Sequence, residues 1–81
     1  MTALALQEAR YEALFASGLQ RSDTPPASAV AEAISATLRQ LGIRGCLSRM
    51  AQEFGDHPEA AAERMRWVRS LLNRDLAESA A

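Results

Sequence analysis

The stretch Val30-Ala31-Glu32-Ala33-Ile34-Ser35-Ala36-Thr37-Leu38-Arg39-Gln40-Leu41-Gly42 decides the fold class. Val30, Ile34, Leu38 and Leu41 recur at steps of four, four and three, which is the spacing of one face of an α-helix. Glu32, Ser35, Arg39 and Gln40 fall between them, so the stripe is amphipathic rather than alternating as a half-buried strand would be. Gly42 then offers a left-handed stop. Upstream, Thr24 is a candidate cap and Pro25 suits a first helical position, which predicts a helix over about 25 to 41.

Working outward, Gln20 to Pro26 reads as a loop, because Ser22, Asp23 and Thr24 favour turns and the two prolines cannot lie inside a helix. Before it, Leu4, Tyr11, Leu14 and Phe15 share a side at helical spacing, and Gly18 is a plausible end. After Gly42, a short connection bracketed by Gly42 and Gly45 leads into Leu47, Met50, Ala51 and Phe54, a third helical face ended by Gly55. Asp56-His57-Pro58-Glu59 has the form of a helix start, with an aspartate cap, a proline in the first turn and a glutamate three residues on. Ala61, Met65, Val68 and Leu72 follow on one face. Four helices are expected, at about 3 to 18, 25 to 41, 46 to 54 and 57 to 76, with a frayed tail at 77–81. They form a compact all-α bundle in a single domain spanning residues 1–81.

Composition supports that class. Seventeen of the 81 residues are alanine, the strongest helix former, against four aromatic residues. The valines and isoleucines number four, Val30, Ile34, Ile43 and Val68, too scattered to build strands. A chain this short hides only about 60% of its unfolded surface, so its core must be lean.

The formal charge of −1 exerts no long-range pull towards a polyanion. All nine basic residues are arginine, which suits bidentate recognition of phosphate or carboxylate, and a GC-rich coding bias would produce the same usage. One cysteine, Cys46, allows no internal disulfide and reads as a small buried side chain. One histidine and one cysteine cannot assemble an ordinary zinc site, so no metal is expected. No nucleophile, base and orienting partner stand together, and no glycine-rich phosphate loop occurs, so neither catalytic residues nor a cofactor are expected. Without a membrane-length apolar run or a leader pattern, the expected location is the cytoplasm.

The informative block is Met50-Ala51-Gln52-Glu53-Phe54-Gly55, continuing through Ala61 to Glu63-Arg64-Met65-Arg66-Trp67-Val68-Arg69. A short helix, a glycine-containing turn and a longer arginine-bearing helix follow one another, which is the order of a helix-turn-helix. Across residues 50–72 this block resembles the helix-turn-helix in region 4 of RNA polymerase sigma factors. The resemblance implies a second helix that reads promoter DNA or touches activators, with outward positions at His57, Glu59, Ala62, Glu63 and Arg66. Phosphate contacts would come from Arg49, Arg64 and Arg69, with Arg44 added if the arginines form one patch.

The departures are as specific as the matches. Asp56 stands where the family has an apolar residue, and Glu59 and Glu63 place negative charge where phosphates would approach. Between Arg44 and Arg74 six arginines face four acids, a surplus of two, well short of most DNA readers. The same arginines read equally as a solvated face, paired along the helix at three- and four-residue spacing.

Two functional expectations follow. One is a small non-enzymatic regulator that binds DNA or a protein of the transcription complex through Arg44, Arg49, His57, Arg64, Arg66 and Arg69. The other is a helical protein-interaction module, including a homodimer, that docks through Trp67, Leu71 and Leu76. The placement of the arginines separates them: one unblocked basic face favours nucleic acid, and interleaving with acids favours protein.

Overall fold

The computed structural model describes residues 2–80, with side chains from residue 2 to residue 74. Three helices, α1 (Ala3–Ala16), α2 (Ala27–Asp56) and α3 (Pro58–Ala80), are joined by a 3₁₀ turn at Arg21–Asp23 and by a single residue at His57. No strand occurs among the described residues, and no helix is long and apolar enough to cross a membrane.

The expected second and third helices are one element. Gly42, at φ 69° and ψ 173°, is the only break within α2, and helical geometry resumes at Ile43 without a loop. A straight helix of 30 residues would be about 45 Å long, yet the molecule measures 38 × 30 × 20 Å. Gly42 therefore folds α2 into two arms. Gly45 lets the corner close, since a Cβ there would meet the Cβ of Leu41 at 2.9 Å.

Several boundaries are set by side chains rather than by the residues that looked like punctuation. Thr2 caps α1, its hydroxyl accepting from the Ala5 amide at 3.0 Å. The helix ends at Ala16, short of Gly18, because the Ser17 amide and hydroxyl both donate to the Leu14 carbonyl. Thr24 does not cap α2. It adopts a left-handed conformation (φ 42°, ψ 59°) at the end of the 3₁₀ turn, and α2 begins after Pro26. Gly55 does not stop α2, which continues to Asp56. The joint is His57, whose amide donates to the Glu53 carbonyl and whose carbonyl accepts from the Ala61 amide. Asp56 thus closes α2 instead of capping α3. The α3 backbone runs past Leu76 to Ala80, for Ala77 to Ala80 contain no glycine or proline to end it.

Buried residues of α1 include Ala9, Tyr11, Ala13, Leu14 and Phe15, which between them cover most of the helix circumference. α1 is accordingly central, packed by both arms of α2 and by α3. Val30 and Ile34 come from the first arm, Cys46 from the second, and Ala61, Val68, Leu71 and Leu72 from α3. Phe15 stacks on Phe54 with ring centroids 5.8 Å apart. Four residues of the expected stripes stay at the surface: Leu4 is 71% exposed, Leu47 47% and Leu41 36%, and Ala51 is exposed as well. Leu4 lies a full turn before the region of α1 that the other helices cover, and Leu41 and Leu47 flank the corner.

Candidate functional site

The residues expected to form one binding face are distributed over several places. Arg64 is drawn into the fold. The end of a helix leaves carbonyls without amide partners, and Arg64 reaches from α3 to those of α1, donating from Nε to the Phe15 carbonyl at 2.8 Å. Its Nη2 donates to the Ser17 carbonyl at 3.0 Å and, over a longer 3.4 Å, to Leu14. The guanidinium lies 5.6 Å from the Phe15 ring centroid and 5.4 Å from that of Trp67. A positive charge at a helix C-terminus is favourable on its own account. Burial pulls the pKa of Arg64 down from its ordinary value, against an upward push from the charge of Glu53.

Arg69 faces α1. It stands 4.9 Å from the Tyr11 ring centroid and 3.9 Å from a Glu8 carboxylate oxygen. Tyr11 ties the same two helices together, accepting from the Gln7 amide nitrogen at 2.7 Å and donating to Asn73 Oδ1 at 3.1 Å.

Arg66 and Arg49 line separate clefts. Arg66 shares one of about 480 Å³ with Arg21, Glu63, Trp67 and Ser70. A neighbouring cleft of about 240 Å³ reuses Arg21, Glu63 and Trp67 and adds Gln20 and Arg64. Arg49 belongs to a third, of about 270 Å³, together with Glu53, Ser17 and Arg64. The three are contiguous, the first two through Arg21, Glu63 and Trp67 and the last two through Gln20 and Arg64. They make a groove that runs from the second arm of α2, past the α1–α2 connection, onto α3. Each end carries an arginine and a glutamate.

Arg44 and His57 are exposed, His57 at the α2–α3 joint beside Pro58 and Glu59. Of the residues expected to dock a partner, Trp67 is half-buried and lines the groove. Leu71 is a correction: at 5% exposure it belongs to the core, because its position on α3 turns it towards the other helices. The Leu76 side chain lies outside the described residues. Cys46 has no exposed surface. Burial raises its thiol pKa above the ordinary value, the nearby charge of Glu12 adds to this and Arg49 opposes it. Among the described residues no three of His, Cys, Asp and Glu gather at metal-binding distance.

Arg21 is the groove residue that sequence reasoning passed over. It sits in a turn, and helical periodicity says nothing of which distant helix a turn residue will face. Of the positions expected to face outward, His57 at the joint and Glu59, Glu63 and Arg66 on α3 are exposed, whereas Ala62 is half-buried.

No protein-family model, curated protein or solved structure matches this chain significantly.

Proposed function

We propose that this chain is a non-enzymatic helical module that acts by binding another protein, and that duplex DNA is not its target. The dispersal of the arginines supports the reading. Arg64 is committed to the carbonyls of α1, Arg69 lies against Tyr11 and Glu8, Arg66 shares its cleft with Glu63, and Arg49 shares its own with Glu53. Duplex binding needs several cations that reach phosphates together, because each neutralised phosphate adds to affinity through counterion release. Interleaved carboxylates cancel that gain. A protein surface, by contrast, is recognised through a few anchors set among mixed charges. A protein of the transcription complex and a second copy of the chain are both partners of this kind.

The rival reading is a helix-turn-helix that reads DNA. It draws on the abrupt α2–α3 joint and on the exposure of His57 at that joint and of Glu59, Glu63 and Arg66 on the helix that follows. Gel retardation at low salt with a randomised duplex pool separates the two. The protein reading expects no shifted band. A band that weakens steeply with salt, and is lost in Arg66→Ala, would replace it with the DNA reading. Sedimentation over a range of concentrations tests the second copy directly, as a mass that rises towards twice that of the monomer.

A further inference from the structure

The cleft shared by Arg21, Arg66 and Trp67 has features that the packing of the domain does not use. Arg21 comes from the α1–α2 connection and Arg66 from α3, and both are exposed. Neither guanidinium has a hydrogen bond or ion pair among the described residues, although Arg64, beside them in the adjoining cleft, has three. Trp67 lies between, half-buried, and its indole N–H has no acceptor among the described residues. Ser70 donates its hydroxyl proton to the Trp67 carbonyl at 2.9 Å, which leaves its oxygen lone pairs free to accept. Across the two adjoining clefts Arg21, Arg64 and Arg66 face the single acid Glu63, a surplus of two positive charges in a chain of net charge −1.

We propose that this cleft binds an acidic peptide segment of a partner protein, with carboxylates on Arg21 and Arg66 and an apolar side chain against the Trp67 ring. The proposal rests on the protein-binding reading and gives that partner a chemistry. A guanidinium offers two parallel donors that match a carboxylate, and tryptophan beside arginine is the composition of interface anchors. Single-stranded nucleic acid fits less well. One guanidinium already stacks near the indole, at 5.4 Å, and Glu63 sits in the path of a continuous row of phosphates. An acidic peptide needs charge only at the two arginines.

Trp67 is the only tryptophan, so its fluorescence reports on this cleft without a label. The probe is a capped glutamate-rich peptide with a central leucine, titrated into the full chain beside its glutamine-for-glutamate counterpart. Inorganic phosphate and a single-stranded oligonucleotide serve as further ligands. The glutamate peptide is expected to give a saturable change in emission and the glutamine peptide none. Arg21→Ala and Arg66→Ala, each a change at an exposed position, are expected to weaken binding about tenfold, the worth of one charge-assisted hydrogen bond. Glu63→Gln is expected to tighten it, which keeps the test decisive if an arginine variant fails to fold. The proposal is overturned by silence of Trp67 towards the glutamate peptide, by unchanged affinity in the arginine variants, or by a tighter response to the oligonucleotide or to phosphate alone. Duplex retardation would remove the protein reading itself, whereas a silent Trp67 without retardation removes only this cleft.

Discussion

Arg64 links two helices through one side chain. It satisfies the carbonyls at the end of α1 from a position on α3, and it lies near the rings of Phe15 and Trp67. Charge-assisted hydrogen bonds of this sort contribute about 1.5 to 3 kcal/mol each before losses elsewhere are counted. Arg64→Ala should therefore lower unfolding stability by about 2 to 3 kcal/mol, seen as a lower urea midpoint. Arg64→Lys should recover little of it, since an ammonium cannot span carbonyls that a planar fork reaches together. Thr24 tests the opposite sign. A β-branched residue in the left-handed region is strained, so Thr24→Gly should raise the melting temperature, and a fall would show that the turn needs its hydroxyl, which donates to the Asp23 carbonyl.

Cys46 makes a residue-scale prediction about pH. Its pKa is raised in the folded state, so the neutral thiol is the form that folding favours. The corresponding stability is complete below the unfolded pKa, about 8.5, and is lost as pH rises through the higher folded value. The melting temperature should thus decline above pH ~8.5, and Cys46→Ala should remove that part of the decline. An unchanged alkaline slope in the variant would refute it.

At the scale of elements, the architecture turns on three glycines that look alike in the sequence and differ in the fold. Gly42 occupies a backbone region open almost exclusively to glycine, and Gly45 leaves the space in which Leu41 approaches. Gly55 sits in regular helix with nothing within 4 Å of where a Cβ would stand. Gly42→Ala should cost about 1 to 3 kcal/mol, and Gly45→Ala should also destabilise. Gly55→Ala should instead stabilise by about 0.4 to 1 kcal/mol. Chemical denaturation of the three variants side by side reads this order. If Gly42→Ala matched wild type, α2 would not need its corner.

For the molecule as a whole, the stability of an 81-residue domain is about 4 to 12 kcal/mol, and a fully buried leucine carries a large share of it. Leu14 is wholly buried in the central helix. Leu14→Ala should cost about 2 to 5 kcal/mol. At this chain length that is a fall in melting temperature of about 10 to 30 °C. A loss below about 1 kcal/mol would mean that the core around α1 collapses into the space. The arginines also act at this scale. They are spread over α1, both arms of α2, the connection and α3, which leaves the surface mixed in sign, without a field to draw in a polyanion.

The spacing of Val30, Ile34 and Leu38, and of Ala61, Val68 and Leu72, was enough to establish the helical class and most of the core, because periodicity along a helix is a local property of the chain. The break at Gly42 was legible for the same reason. Its consequence was not: whether a glycine ends a helix in a loop or folds it into two arms depends on what the second arm packs against. The role of Arg64 was still less accessible, since its acceptors lie 47 to 50 residues away. On similar grounds Leu71, expected at a docking surface, enters the core, and Arg21, to which the sequence assigned no role, lines a cleft. Local patterning determined that this chain is helical. Tertiary packing alone decided which arginines are drawn into the fold and which stay at its surface, because a guanidinium is consumed by whatever unsatisfied carbonyl or ring the fold brings within its reach.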